Sequence, residues 1–341
     1  MAHISSGTPF HDPVPGPLRF LAVATPPVRV PVPIPEPLCG QDFDVGELLK
    51  LKAARGLSIS VCLPAKNEEA TVGQIVATVR RTLMESVPLV DEVVVLDDGS
   101  IDATAEVARW EGARVLAVDD LLPEVGPGSG KGNAMWKSLY AMSGDLVCWV
   151  DADIRNFGHH FVTGLLGPLL TNPDTAFVKG YYRRPLHGEP TGGGRVTELV
   201  ARPILSLLFP ELTGFLQPLG GEYAGRRSLL EQVPFVEGWG VEVGLLIDIV
   251  ARVGLGATAQ VDLGVREHRN RPLEDLGPQA TAILATALRR AGLTHHDSPM
   301  LRRFTQHNEY EAVNVEVRER LPMADVAAYC EKFGLDLRAT G

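Results

Sequence analysis

Residues 92–104 read EVVVLDDGSIDAT, and this stretch decides the fold class. Its almost continuous apolar run, Glu92–Leu96, predicts a short buried strand, and Asp98-Gly99-Ser100 predicts a turn. The residues that follow, Asp102–Glu111, predict a helix. A strand that is apolar on both faces and leads into a helix is typical of a parallel sheet that helices cover on both sides.

The same succession recurs along the chain and extends the prediction. Strands are predicted at Ser58–Leu63, Ala113–Val118, Leu146–Val150, Ala176–Val178 and Ala257–Val265, and helices at Glu69–Met84, Lys131–Met142, Val196–Phe209, Val241–Val253, Pro272–Ala291 and Met323–Phe333. Because crossovers between parallel strands are right-handed, this order predicts an α/β fold with a Rossmann-like, mostly parallel sheet flanked by helices. In such sheets ligands bind beyond the carboxyl ends of the strands.

The composition is that of a globular protein and excludes several function classes. The 341 residues are 45% hydrophobic and 22% charged, and the formal net charge of −10 argues against a nucleic-acid partner. The four cysteines form neither a CxxC pair nor a zinc-ligand spacing. No apolar run reaches the roughly 18 residues that span a bilayer, and no signal peptide is recognisable. We therefore expect a cytoplasmic protein without a membrane partner. The ten prolines among residues 1–40 predict an extended arm.

Acidic side chains directly follow three of the predicted strands. Glu68 follows the first strand, Asp98 the second, and the triplet Asp151-Ala152-Asp153 follows the strand at 146–150. Each motif alone is compatible with an ordinary turn or helix cap. Because carboxyl ends of parallel strands share one edge of a sheet, the acids are expected to gather there. Their mutual repulsion favours a divalent cation with oxygen ligands, and the combination predicts a nucleotide and metal site.

Six stretches of the chain resemble one family of enzymes. The segments LPAKNEEATVG, VVVLDDGSIDAT, GKGNAMWKSL and CWVDADI are similar to the nucleotide-sugar half of the A-type glycosyltransferases. Two later segments, TGGGRVTELVARPIL and GWGVEVGLLIDIVARVGLGATAQVDLGVREHRNRPL, resemble glycosyltransferase family 81, the glucosyl- and mannosyl-3-phosphoglycerate synthases. The resemblance implies a retaining transfer of a hexose from a nucleotide sugar to the 2-hydroxyl of 3-phosphoglycerate.

The resemblance also implies a role for each matching position. The implied donor-binding residues are Pro64, Ala65, Glu68, Asp98, Lys131, Asp151, Ala152, Arg266 and Asn270. Asp153 and His268 match the ligands of a metal ion, Mg²⁺ or in its place Mn²⁺. Glu242, Asp153 and Lys131 are the implied catalytic residues. Ala152 stands where family members often have a serine, so a hydroxyl role at that position is missing here.

The segment Thr191–Thr197 matches the acceptor site and suits an anion on physical grounds. It precedes a predicted helix, whose first N–H groups bind anions, and Gly194 allows a close approach. Arg195 adds a bidentate donor for phosphate or carboxylate, and Thr197 adds a hydroxyl. The alternative interpretation of this segment is a flexible glycine-rich linker.

Several choices stay open from the sequence. UDP-glucose is the expected donor, and GDP-mannose is the alternative donor. An alternative function is that of a nucleotide-sugar-binding protein without this activity. A sugar-phosphate nucleotidyltransferase is disfavoured because no glycine-rich loop follows the first strand. The resemblance implies a homodimer. The predicted division of the chain is a proline-rich arm at 1–45, a nucleotide-sugar half at 46–155, an acceptor and catalytic half at 156–292, and a tail at 293–341 with an oligomerising role as one interpretation.

Overall fold

The computed structural model describes residues 36–186, 189–192, 194–268, 272–293, 300–304 and 309–336, so residues 1–35 of the predicted arm lie outside the described residues. The helices are α1 Val45–Arg55, α2 Val72–Thr78, α3 Thr104–Trp110, α4 Gly130–Ala141, α5 His160–Thr171, α6 Arg202–Leu208, α7 Arg227–Leu230, α8 Val241–Val253, α9 Leu276–Arg290 and α10 Ala327–Phe333. The strands are β1 Leu38–Cys39, β2 Ile59–Ala65, β3 Glu92–Asp97, β4 Arg114–Ala117, β5 Leu146–Trp149, β6 Phe177–Arg183, β7 Pro185–Leu186, β8 Glu189–Gly192, β9 Tyr223–Arg226, β10 Phe235–Val236, β11 Thr258–Val265, β12 Met300–Phe304, β13 Tyr310–Asn314 and β14 Glu319–Arg320. Helix α2 continues as a π-helix over Val79–Ser86, and the π-helical turn Thr197–Ala201 leads into α6.

Eight strands form the central sheet in the order β1-β11-β6-β9-β5-β2-β3-β4. Every neighbouring pair is parallel except those of β9, which runs antiparallel to both β5 and β6. The predicted α/β fold with a mostly parallel sheet is therefore confirmed. Strand β9 was not predicted, and the sheet continues without a break from the strands of the first half of the chain to β6 and β11.

The sheet is covered on both faces because its central strands are apolar on both sides. Every residue of β5 is fully buried, and so are Ile59–Leu63 of β2. One face packs against α2, α3 and α5, and the other packs against α4, α8 and the helices that follow. Trp149 of β5 packs in the core on the second face. Its ring centroid lies 5.5 Å from that of Tyr223 and 6.2 Å from that of Phe235. The middle of the sheet is thus closed to ligands, which are left to bind at the strand ends.

The C-terminal segment is built into the second face of this core. Strand β14 pairs antiparallel with β10, with Arg320 opposite Phe235. Tyr329 of α10 is fully buried and its hydroxyl donates to Glu231 Oε2 at 2.7 Å. Trp136 of α4 donates to the carbonyl of Leu321 at 2.8 Å. The segment therefore completes the core around α4. Within the part of the chain that is described, no helix combines the length and the apolar character needed to cross a membrane.

Candidate active site

The strand ends open into one cleft of about 330 Å³. Every predicted site residue within the described ranges lines this cleft: Pro64, Ala65, Glu68, Asp98, Lys131, Asp151, Ala152, Asp153, Gly194, Arg195, Thr197, Glu242, Arg266 and His268. Asn270, the remaining predicted residue, lies outside the described residues. The sheet edge thus brings together positions that are more than 200 residues apart in the sequence.

The loops after β2 and β3 hold each other in place at one end of the cleft. The Asn67 amide donates to Ser100 Oγ at 2.9 Å, and the Asn67 side chain accepts from the Ile101 amide at 2.9 Å. Asp98 belongs to the loop after β3, and Lys66 of the loop after β2 places its Nζ 3.7 Å from Asp98 Oδ2. Burial raises the pKa of Asp98, and Lys66 opposes that shift. A half-buried carboxylate on a loop held by these hydrogen bonds is suited to accept hydrogen bonds from a ribose or a base.

Lys131 links two carboxylates in the middle of the cleft. It lies in the first turn of α4, and its Nζ is 2.5 Å from Asp151 Oδ1 and 2.9 Å from Glu242 Oε1. Burial lowers the pKa of Lys131, but the charges of Asp151 and Glu242 outweigh burial and raise that pKa well above its usual value. Lys131 is therefore a fixed cation and not a proton acceptor at neutral pH.

Arg266 neutralises the carboxylates from the other side. Its side chain is 3% exposed, and Nη2 lies 2.8 Å from Asp151 Oδ2 and 2.5 Å from Asp153 Oδ1. Nη1 donates to the Tyr182 hydroxyl at 2.7 Å and lies 3.3 Å from Oε1 of the fully buried Glu222. Burial raises the pKa of Asp151, but Lys131 and Arg266 outweigh it and hold that pKa well below its usual range. Asp151 is thus ionised in the free protein.

Asp153 and His268 supply chemistry that fits the predicted divalent metal. Burial, with the positive charges of Arg266 and Arg184, lowers the pKa of His268 to about 4, so its imidazole is neutral and able to act as a ligand. Asp153 keeps a quarter of its side chain exposed to the cleft. In the described ranges no three or more His, Cys, Asp or Glu residues are grouped as a metal site. Two protein ligands suit Mg²⁺, which commonly takes its other ligands from phosphates and water.

The predicted acceptor residues surround the start of the helical segment that leads into α6. Gly194 has φ of +81°, a conformation that favours glycine, and its carbonyl accepts from the Glu198 amide at 3.1 Å. The helix therefore begins here, and its first N–H groups have no partner within the helix. Thr197 is 6% exposed. Side chains at 191–193 lie outside the described residues.

Among the residues at the site that the sequence did not predict are Arg184, Glu222, Tyr182 and Lys179. Arg184 lines the cleft directly after β6, which extends to Arg183 although the prediction ended the strand at Val178. Glu222, Tyr182 and Lys179 lie beneath the cleft and are almost fully buried. Lys179 Nζ donates to the carbonyl of Gly220 at 2.5 Å. A strand prediction carried on to Arg183 would have placed Arg184 at the sheet edge with the other site residues.

Arg320 joins the two glycine-containing turns that precede Lys131 and Glu242. It is 8% exposed; Nη1 donates to the Val125 carbonyl at 3.0 Å, and Nε lies 2.7 Å from Glu237 Oε1. The Ser129 amide donates to the same Glu237 side chain at 3.3 Å. One buried guanidinium of the C-terminal segment thus contacts both turns.

Comparisons with known proteins agree with this geometry. The family model for glycosyl transferase family 2 matches residues 60–233, just over half of the 341-residue chain. The glucosyl-3-phosphoglycerate synthase of Petrotoga mobilis is 45% identical over 303 residues, covering 85% of this chain and 93% of that protein. The Mycobacterium tuberculosis synthase of the same name is 52% identical over 258 residues, covering 74% of this chain and 78% of that protein.

Solved structures of the Mycobacterium tuberculosis synthase are similar to this fold. The complex with Mn²⁺, UDP-glucose and phosphoglyceric acid has a TM-score of 0.76 and 48% identity, covering 82% of this chain and 94% of the other. The complex with Mn²⁺, UDP and glucosyl-3-phosphoglycerate has a TM-score of 0.76 and 47% identity, covering 82% and 95% of the two chains. This chain belongs to the family of the glucosyl-3-phosphoglycerate synthases, built on a glycosyl transferase family 2 domain.

Proposed function

We propose that this protein is a retaining glucosyltransferase that moves glucose from UDP-glucose to the 2-hydroxyl of 3-phosphoglycerate and releases UDP. The observation that carries the proposal is the single cleft. It combines a carboxylate cluster, a protonated lysine and a helix start flanked by arginines at the carboxyl edge of the sheet. A donor diphosphate and an anionic acceptor need these complementary groups side by side.

In this proposal the donor lies along the ends of β2, β3 and β5. Pro64, Ala65 and Glu68 contact the base, and Asp98 accepts hydrogen bonds from the nucleoside. Asp153 and His268 hold Mg²⁺ or Mn²⁺, and the bound ion neutralises charge on the diphosphate. Lys131 is held as a cation by its two carboxylates, so it stabilises the negative charge that develops on the leaving group.

Glu242 is proposed to contact the transferred sugar. It is 8% exposed at the start of α8 and is fixed by Lys131 at 2.9 Å, so its position in the cleft is set before substrate binds. Asp151 and Glu242 both form ion pairs with Lys131, which weakens either carboxylate as a nucleophile. We therefore favour front-side attack by the acceptor hydroxyl over a glycosyl-enzyme intermediate.

The proposal also covers the donor, its remaining contacts, the oligomeric state and the division of the chain. We propose UDP-glucose rather than GDP-mannose as the donor, because the relatives that match most of this chain are named as glucosyl enzymes. We propose that Arg266 and Asn270 contact the diphosphate, and that Asp151 and Ala152 contact the donor. We also propose a homodimer in the cytoplasm and the division of the chain at about residues 45, 155 and 292. Light scattering of the purified protein tests the dimer.

The decisive experiment is a side-by-side turnover assay with UDP-glucose and GDP-mannose, each with 3-phosphoglycerate and Mg²⁺. We expect formation of glucosyl-3-phosphoglycerate and a kcat/KM at least tenfold higher for UDP-glucose. Asp153→Ala is the matched variant, and its turnover should fall below detection together with calorimetric Mn²⁺ binding in the presence of UDP. Preference for GDP-mannose would reverse the donor assignment, whereas full activity of Asp153→Ala would exclude Asp153 as a metal ligand. Donor binding without turnover would favour a non-catalytic binding protein.

A further inference from the structure

Arg184 differs from Lys131 and Arg266 in having no carboxylate partner among the described residues. Lys131 and Arg266 are both paired with acids, whereas no described carboxylate lies within ion-pair distance of Arg184. Its Nη2 donates to the Tyr182 hydroxyl at 2.7 Å, and its buried Nε has no hydrogen-bond partner among the described residues. A partly buried guanidinium without a counter-charge is costly, so this position indicates an anionic ligand.

Tyr182 fixes the direction of Arg184. The guanidinium lies over the Tyr182 ring, with its Cζ 5.0 Å from the ring centroid. The same hydroxyl accepts a hydrogen bond from Arg266, which faces the carboxylates, so one tyrosine anchors both guanidinium groups. Arg184 is thereby held in the cleft on a buried support, which reduces the side-chain entropy that binding would remove.

The Nη1 atom of Arg184 lies near Gly194, where the helical segment that leads into α6 begins. A Cβ atom placed on Gly194 would be 4.0 Å from Arg184 Nη1 and 3.8 Å from Thr197 Oγ1. These two donors therefore converge on the space above Gly194, the residue where the helix begins. Helix starts attract anions, and here a guanidinium and a hydroxyl are added from different elements.

We propose that Arg184 is a substrate-binding residue, the second guanidinium of the site for the acceptor phosphate. A phosphomonoester carries nearly two negative charges at neutral pH, and Arg195 supplies one positive charge. Arg184 supplies the other, and the bidentate geometry of guanidinium suits phosphate oxygens. This inference rests on the proposed function, because it assigns the phosphate of that acceptor to a particular group.

A purely structural role for Arg184 explains less. Asp151, a carboxylate whose pKa Arg184 helps to lower, is already paired with Lys131 and Arg266. Stacking on Tyr182 and the hydrogen bond to its hydroxyl hold the guanidinium in place, but they do not supply an opposite charge. A purely structural role therefore predicts that Arg184→Met lowers stability and leaves the KM for 3-phosphoglycerate unchanged.

The test uses Arg184→Met, which keeps the stem and removes the charge, and Arg184→Lys, which keeps the charge without the bidentate geometry. The matched control is Arg183→Met, because Arg183 is the adjacent, exposed residue at the end of β6. For Arg184→Met we expect the KM for 3-phosphoglycerate to rise roughly 10- to 100-fold, the loss of one or two charge-assisted hydrogen bonds. The KM for UDP-glucose should stay within twofold, and Arg184→Lys should be intermediate.

Two competing ligands identify which acceptor group Arg184 binds. Inorganic phosphate and D-glycerate are measured as competitive inhibitors against 3-phosphoglycerate. In Arg184→Met the inhibition constant of phosphate should rise by the same factor as the KM, and that of D-glycerate should not change. A rise for D-glycerate alone would overturn the assignment to phosphate, and an unchanged KM would overturn a binding role altogether.

The inference and the proposed function fail in different ways. If the wild-type protein does not glucosylate 3-phosphoglycerate, the proposed function fails, and calorimetric binding of inorganic phosphate to wild type and Arg184→Met still tests the anion site. Equal phosphate affinity in the two proteins would contradict the inference. If Arg184→Met does not fold, the comparison of Arg184→Lys with wild type carries the same measurement.

Discussion

Arg320 offers the sharpest test of how the C-terminal segment contributes to catalysis. The perturbation is Arg320→Gln, which removes the ion pair with Glu237 and the donor to the Val125 carbonyl. Both charged side chains of the pair are about one-tenth exposed. Removing one partner of a buried ion pair costs about 3–5 kcal/mol, because the other charge stays buried without compensation. We expect a loss of about 3 kcal/mol in the free energy of unfolding, since glutamine keeps part of the hydrogen bonding.

The same substitution should lower kcat through geometry and not through lost substrate contacts. Arg320 fixes the turns ahead of Lys131 and Glu242, whose side chains are 2.9 Å apart. A misplacement of 1 Å at a catalytic group costs on the order of 100-fold in rate. We therefore expect kcat to fall about 10- to 100-fold, with little change in the KM for 3-phosphoglycerate.

Arg290→Gln is the matched control for stability. Arg290 is 12% exposed, binds Asp248 through two nitrogens at 2.7 and 2.8 Å, and reaches Glu319 next to Arg320. Among the described residues, its ion pairs and hydrogen bonds include neither glycine turn, so Arg290→Gln should lose similar stability in urea unfolding while kcat stays within threefold. Equal loss of kcat in both variants would refute the positioning role.

Glu237→Gln provides the second control. Combined with Arg320→Gln, it removes the orphaned carboxylate and should restore part of the unfolding free energy. Because the connection between the turns is still missing, kcat should remain low. Recovery of kcat in step with stability would show that Arg320 acts through stability alone.

Two further predictions concern buried groups near the cleft. Burial lowers the pKa of Lys179 to about 7, whereas in the unfolded chain that pKa is near 10.5. Between these two pH values the lysine is protonated in the unfolded chain and largely neutral in the folded protein, so the free energy of unfolding rises with pH. Lys179→Met should therefore gain more stability over wild type at pH 6.5 than at pH 9.5 in urea unfolding, and an equal gain at both values would contradict the burial of a charged amine. Gly132→Ala should lose about 1–3 kcal/mol and reduce kcat, because its Cβ would stand 1.9 Å from the Val236 carbonyl oxygen. Gly256→Ala is its control, with nothing within 4 Å, and equal thermal shifts in the two variants would contradict the close approach of α4 to β10.

The sequence predicted the strand ends well because local patterns determine them. The apolar runs at 92–96 and 146–150 are found as strands with boundaries shifted by one residue, and helix Val241–Val253 is found as predicted. Once these elements form a parallel sheet, the residues directly after them meet at one edge. Asp98 and Asp153 therefore reach the same cleft without further information.

The rest depends on contacts between distant parts of the chain. Strand β9 is four residues long and contains Gly225 and Arg226, so no local apolar pattern marks it. Its place between β5 and β6 is set by pairing on both sides. Arg320 lies in a charged stretch that reads as a solvated tail, yet it is buried against Asn133, 187 positions away. Burial of a charged side chain is decided by such partners and leaves no local signal.

The distribution of charge in the cleft connects these observations to the order of binding. Asp151 and Asp153 share Arg266, and Asp151 and Glu242 share Lys131, so the donor side is internally paired before any ligand arrives. A diphosphate with its metal ion brings little net charge, so the balance of charge on the donor side changes little when it binds. The acceptor side is different, because Arg184 has no described carboxylate partner and an incoming phosphate supplies the missing charge. Electrostatics therefore favours an anionic acceptor at that end of the cleft over neutral water, which is the competing nucleophile for the same glucose.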